Sequence, residues 1–403
     1  MKNRESAGGP SGLMPFDAAV ETILSCARLL GTERVPLEEA AGRVLAGGIV
    51  SDVDMPPFDK SAMDGFACRE ADLGDPMRVA MTIYAGEMPE RGIGPGECAR
   101  IMTGAPLPAG ADTVVMVEHA EERDGTVRVL RPPRERNICL RGEDVRGGDV
   151  VLEGGARIGP AQIAVLAAVG ASEVAVRRRP VIGIAPTGDE LVEPGQARSP
   201  GKIRNTNGPQ LLSQARAAGF SAEYLGIVRD EPGAIRAALR RAAGKTDVVV
   251  FSGGVSMGER DHVPAVLEGE GFSPRVRGVA VKPGRPLLFA ERDGMWVFGL
   301  PGNPVSTFVL FETVVRPFCD LLMGHEHRPT VVRAPLRRAL TRRASDRLDH
   351  VPAAIGEDGL AEPLEYHGSA HIHAYSIADG IMVIPPGTKR LEAGETVGVI
   401  LVR

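Results

Sequence analysis

Apolar residues recurring every three to four positions mark the start of the chain: "PFDAAVETILSCARLL" from Pro15, then "PLEEAAGRVLAGG" closed by Gly47 and Gly48. That period lines one face of a helix, so both stretches are predicted helical. From about residue 49 to 148 the pattern shortens to β-type runs such as "TVVMVE" and "TVRVL" between Gly/Pro turns. "IGPAQIAVLAAVGA" then returns to helical periodicity, with Pro160 in its first turn and Gly170 near its end. Helix, strands and helix in that order predict a discontinuous helical domain (15–48 and 149–179) carrying an inserted β domain (49–148), after a tail at 1–14.

Residues 180–325 alternate. "PVIGIAP", "SAEYLGIV" and "TDVVVFSGG" read as strands; "NGPQLLSQARAAG", "EPGAIRAALRRAAG" and "VPAVLEGEG" read as helices. Alternation of this kind predicts a parallel, three-layer α/β domain over 180–326. The last stretch, 327–403, with "GIMVIPPG" and "ETVGVILVR", reads as a separate all-β domain.

Composition changes this picture little. Of 403 residues, 43% are hydrophobic and 25% charged, an ordinary core-forming balance. The net charge of −5 gives no reason to expect a nucleic-acid partner, so an anionic ligand must be held by local groups. Five scattered cysteines (Cys26, Cys68, Cys98, Cys139, Cys319) show no metal-type spacing and suit a reducing compartment. No run is long enough to span a membrane, and "MKNRESAGGPSG" lacks the apolar core of a signal peptide. The expected location is the cytoplasm.

The candidate chemistry lies where the α/β strands end, the usual ligand edge of such sheets. "VIGIA" runs into "PTGDEL", "YLGIV" into "RDEP", and "DVVVF" into "SGGVSMGERD". Asp189, Glu190, Asp230 and Asp261 would then share one rim with Gly-containing loops. Backbone N–H groups in such loops attract phosphate, which carboxylates repel unless a hard cation lies between. The expectation is a phosphate loop with Asp261 beside a Mg²⁺; ordinary turns and helix caps are the alternative. "VKPGRPLLFA" sets Lys282 and Arg285 around a Pro-Gly turn, either a clamp for an oxyanion or a solvated hairpin tip. "GLPGNPVSTF" leads a turn into a helix with Pro304 in its first turn. In the β insert, "MPPFDKSAMDGFA" holds Asp59, Lys60 and Asp64 between two phenylalanines, a pattern that suits a binding loop. "RIMTGAPLPAGAD" offers Thr103, and "LRGEDVRGGD" offers Arg141, Glu143 and Asp144; each alone reads as a turn. "HIH" would place His371 and His373 on one strand face, and Cys139 reads as an inert thiol.

Taken together, "PPFDKSAMDGFA", "RIMTGAPLPAGADTVVMVE", "RGED", "PTGDEL", "GIVRDEP", "SGGVSMGERD", "KPGRP" and "GLPGNPVS" resemble the molybdopterin molybdenumtransferase family, which includes bacterial MoeA and the E domain of gephyrin. The match runs in family order from about residue 15 to 325, with a looser one in "GSAHIHAYSIADGIMVIPPG". It implies an elongated, L-shaped homodimer of four-domain subunits, with a molybdopterin-binding α/β domain and a C-terminal β-barrel. It also implies the reaction: adenylylated molybdopterin and molybdate give molybdenum cofactor and AMP, with Mg²⁺, downstream of a molybdopterin adenylyltransferase.

Residue by residue, the resemblance implies catalytic roles for Asp59, Thr103, Asp144, Glu190, Asp230, Asp261, Lys282 and Arg285, with Glu190 and Asp261 on the metal. It implies cofactor binding by Thr187, Gly188, Ser252, Gly253, Gly254, Ser256, Pro301 and Pro304. Lys282 and Arg285 would meet molybdate or phosphate, and the insert would lean over the partner's α/β domain. Lys60 stands where Asn is frequent, Phe66 where Tyr is frequent, and Cys139 where an arginine is usual. Two other readings compete: an adenylyltransferase-like enzyme, for which the N-terminal half and the barrel are superfluous, and a non-catalytic scaffold, which has no use for the acids.

Overall fold

The apolar runs of the central third form one six-stranded sheet in the computed structural model, which describes residues 13–256, 258, 261–365, 368 and 371–402. Across the sheet the order is 221–224, 181–186, 248–252, 295–300, 288–292 and 273–277. The first four strands are parallel; the last two join antiparallel. Val249, Phe251 and Val297 pack against helices 232–242 and 263–269, while Val248, Val250, Phe298 and Leu300 pack against helices 207–217 and 304–310. Burial on both faces is why these strands read as continuous apolar runs. The chain goes from 181–186 outward to 221–224, then back across to 248–252. Strand order therefore reverses between 181–186 and 248–252, opening a crevice at their carboxyl ends.

The β insert is a second six-stranded sheet, ordered 113–116, 65–68, 97–101, 77–83, 126–129 and 120–123. The chain enters it through Ile49–Val50 and leaves through Val150–Leu152, and these two strands pair antiparallel as a two-stranded stalk. Behind the stalk, Thr32–Pro36 pairs with Glu173–Arg177, and helix Pro160–Ala168 covers them around Leu45, Ile158 and Leu166.

The C-terminal strands run in the order 281–282, 348–355, 380–384, 396–401, 331–335, with 361–363 alongside 348–355. A bridge from Leu336 to Ala361 joins the two ends, so the sheet closes on itself as a small barrel. Its first strand, Val281–Lys282, belongs to the α/β stretch of the sequence.

Of the two helices expected before residue 49, one forms and one does not. Helix Phe16–Ser25 forms, but Ala19 and Ile23 are buried in the same core as Phe289 and Phe318, so it packs on the α/β domain. "PLEEAAGRVLAGG" yields only a 3-10 turn at Leu37–Glu39. Gly42 takes φ 76°, and the N–H groups of Leu45 and Ala46 bond the carbonyls of Ala156 and Ala175 (both 3.0 Å). Tertiary strand pairing has overridden the local helical period.

Candidate functional site

A cavity of about 610 Å³ opens at the crevice. Thr187 follows strand 181–186 and Ser252 ends strand 248–252, so the parallel register sets both on the floor. Gly254, Val255, Ser256 and Asp261 continue one wall; Pro301, Gly302, Asn303 and Pro304 form another at the start of helix 304–310. Glu190 lines the rim, and Ile372 reaches in from the C-terminal domain. Gly253 takes φ 109°, and a Cβ there would lie 2.4 Å from the carbonyl oxygen of Thr187, so only glycine lets the two strand ends meet. At Gly188 (φ 155°) a Cβ would fall 2.7 Å from the Glu190 carboxylate, whose side chain can swing aside. The backbone N–H groups of Gly254, Val255 and Ser256 find no acceptor among the described residues. They are free donors beside the cavity.

The acids gather as expected from the strand ends. Asp189 N–H donates to Asp230 Oδ2 (3.3 Å), and Gly258 N–H donates to Asp261 Oδ2 (2.7 Å). Burial first, then the negative charges of Glu190, Asp189 and Asp261, raises the Asp230 carboxyl above the usual range. Arg229 Nε lies 3.6 Å from Asp189 and Lys202 Nζ donates to the Asp189 carbonyl, but Asp230 still carries uncompensated repulsion. A divalent cation suits such a rim. No three His, Cys, Asp or Glu side chains converge on one point among the described residues, so a Mg²⁺ held by Glu190 and Asp261 would need substrate oxygens to complete its shell.

Lys282 and Arg285 are exposed and stand apart from the cavity lining, to which their turn contributes only Pro286. Lys282 Nζ lies 3.8 Å from Asp349 Oδ2 of the C-terminal domain, which is itself buried and 3.2 Å from Arg342 Nε. Arg342 is held by the carbonyls of Pro385, Thr388 (both 3.0 Å) and Arg347 (2.6 Å).

Asp59, Thr103 and Asp144 lie in the insert and line no part of this cavity. Their three loops, one read from sequence as a binding loop and two as plain turns, are knitted into one face. Arg141 N–H donates to Asp59 Oδ1 (2.7 Å), Leu107 N–H to the Asp59 carbonyl (2.8 Å), and Asp144 N–H to the Met55 carbonyl (3.1 Å). Thr103 donates to Asp64 from both its N–H (2.6 Å) and its hydroxyl (2.7 Å), which lowers the Asp64 carboxyl. Cys139 pairs with Lys60 across two short strands, and burial raises its thiol, as an inert cysteine requires.

One sequence reading needs correction, and one segment of the site carried no expectation. His373 begins a short helix, His373–Ile377, so His371 and His373 share no strand face. All five residues of "IRNTN" (203–207) line the cavity. Its signal was a polar Asn-Thr-Asn just before an amphipathic helix. Met257, Glu259 and Arg260 of "SGGVSMGERD" lie outside the described residues.

Comparison with known proteins places the chain among relatives along most of its length. Residues 14–170 match the MoeA N-terminal region (domain I and II), 183–320 a probable molybdopterin binding domain, and 333–402 the MoeA C-terminal region (domain IV). A molybdopterin molybdenumtransferase of Bacillus subtilis is 34% identical over 97% of this chain and 94% of its own length. One from Staphylococcus aureus is 33% identical over 96% and 95%. A crystal structure of a molybdopterin biosynthesis MoeA protein from Pyrococcus horikoshii superposes with a TM-score of 0.84 at 29% identity, covering 96% of this chain and all (100%) of that one.

Proposed function

The chain belongs to the molybdopterin molybdenumtransferase family, and on that premise we propose that it inserts molybdate into adenylylated molybdopterin with Mg²⁺-dependent release of AMP, giving molybdenum cofactor. The observation that carries this reading is the row of free N–H donors at 254–256 beside a rim of four carboxylates. Donors alone suit any anion; donors and acids together suit a phosphate that arrives with a cation. Mg²⁺, when bound, supplies charge neutralisation between the acids and the pyrophosphate. Glu190 and Asp261 hold the metal and Asp230 adds negative charge behind them. The 252–256 loop takes phosphate oxygens through its backbone, where charge develops as the phosphoanhydride is cleaved. Lys282 and Arg285 bring fixed positive charge for molybdate.

Asp59, Thr103 and Asp144 serve the site of a second copy in this reading, because their face lies outside the cavity of their own chain. The working unit is then a homodimer in the cytoplasm, supplied by a molybdopterin adenylyltransferase. No helix among the described residues is long and apolar enough to cross a membrane.

The test is purified protein with adenylylated molybdopterin, Mg²⁺ and molybdate, following AMP. Release is expected, and a chelator should abolish it without unfolding the protein; full activity in excess chelator would sink the metal's role. Mixing Asp59→Asn with Asp261→Asn subunits should restore part of the activity, and no recovery in demonstrated heterodimers places each site within one chain.

A further inference from the structure

Asn207, at the start of helix Asn207–Ala217, is buried between the two loops of the cavity floor. Its Nδ2 donates to the Gly302 carbonyl (2.8 Å) and to Ser252 Oγ (2.6 Å). A carbonyl can only accept, so the contact with Gly302 fixes which end of the amide is nitrogen. The second amide proton therefore meets Ser252 Oγ as an acceptor. The serine hydroxyl still has its own proton, and among the described residues that proton has no acceptor. The amide oxygen of Asn207 is turned to Thr206 Oγ1 (3.4 Å).

We propose that Asn207 is a positioning residue that fixes the polarity of Ser252: by filling the acceptor side of the hydroxyl it turns the serine proton into the cavity, toward an unprotonated phosphate oxygen. This rests on the proposed placement of a pyrophosphate against the 252–256 loop. The rest of the floor follows the same logic. The Pro301 carbonyl accepts from Thr307 Oγ1 (2.7 Å) and the Gly302 carbonyl from Asn207. Two oxygens that would repel a phosphate are thereby engaged by the protein, while the N–H groups of 254–256 remain free. The floor offers donors, so it favours ligand oxygens that carry no proton.

Calorimetry of the full-length protein with inorganic pyrophosphate and Mg²⁺ tests this. Ser252→Ala removes one hydrogen bond to a charged group and should weaken binding roughly tenfold. Asn207→Ala should do about the same, yet add less than about twofold in the Ser252→Ala background, because both changes remove one donor. Asn207→Asp should reverse the bond, drawing the serine proton onto the new carboxylate. Burial raises the new carboxyl toward neutral pH, so this variant's loss relative to the unaltered protein should shrink as pH falls from about 8 to about 5. It should shrink less in the Ser252→Ala background, where only relief of charge repulsion remains. If Asn207→Ala fails to fold, that pH series decides alone. Additive losses, or an Asn207→Asp defect independent of pH, overturn the relay. No pyrophosphate binding by the unaltered protein overturns the relay and the phosphate placement together, whereas AMP release, measured separately, judges the reaction.

Discussion

The proposed phosphate loop at 252–256 and the cationic turn at 282–285 are both proposed to meet anions, but different parts of the molecule hold them. The loop is a product of the α/β domain alone: parallel strand ends, a glycine packed on the Thr187 carbonyl, and the buried Asn207 amide. It works through backbone donors whose positions the sheet fixes. The turn is held from outside. Strand Val281–Lys282 is the edge of the C-terminal barrel, and Lys282 sits beside the buried Asp349 of that barrel. Its cations are exposed side chains on a backbone set by another domain. The proposed nucleotide side is thus built into the α/β fold, whereas the proposed molybdate side depends on the C-terminal domain.

Removing Asp349 tests that dependence most severely. Its carboxylate and Arg342 are buried side chains, 6% and 7% exposed, and stripping one partner from a buried pair costs about 3–5 kcal/mol. Asp349→Ala should lower the denaturation midpoint and raise the molybdate concentration for half-maximal turnover, while pyrophosphate binding stays within about twofold. Equal loss of both ligands would erase the distinction between loop and turn.

Acid should loosen the turn's support through the neighbouring His350. This ring is buried edge-on to Phe16 (5.3 Å), and burial lowers its pKa to about 4. With a lowered folded-state pKa, the unfolded chain binds the proton first as pH falls. Stability is then lost from about pH 6.5 down to about 4, by about 3 kcal/mol in full. His350→Phe should flatten that limb in thermal melts across the range; an unchanged limb would show that other groups cause it.

Adding one methyl group compares the two regions directly. Gly253→Ala meets the Thr187 carbonyl at 2.4 Å, whereas Gly284→Ala, also at positive φ (115°), meets the buried Leu310 side chain at 2.9 Å, in the turn rather than in the loop. The first should weaken pyrophosphate binding about a hundredfold and the second by far less, since overpacking costs about 1–3 kcal/mol and that of Gly284 falls outside the cavity lining. The reverse order would show that the loop is the more yielding of the two.

Lys282→Ala should have the smallest effect, about a tenfold rise in the molybdate needed for half-maximal turnover. Asp349 already shares the lysine's charge, and the ammonium is 58% side-chain exposed. Collapse of pyrophosphate affinity with molybdate response intact would make Lys282 a phosphate ligand.

The sequence by itself determined the elements whose pattern is local and strong. Apolar strands of the α/β domain, the glycines at their ends, the acids after them and the inserted β segment are all written in hydrophobic runs and turn residues. Local pattern is also where it misled. Residues 36–48 have a helical period, yet their backbone is claimed by Ala156 and Ala175, more than a hundred residues away. Only the tertiary structure decided that helix 16–25 joins the α/β core, that three loops of the insert share one face, and that Lys282 answers to Asp349. It alone brought out Asn207, because an asparagine in the first turn of a helix looks like an end-of-helix residue until the loops it bridges, at Ser252 and Gly302, are in place. Periodicity encodes which face of an element is buried. It does not encode which distant donor will find which acceptor, and the polarity of this cavity rests on such pairings.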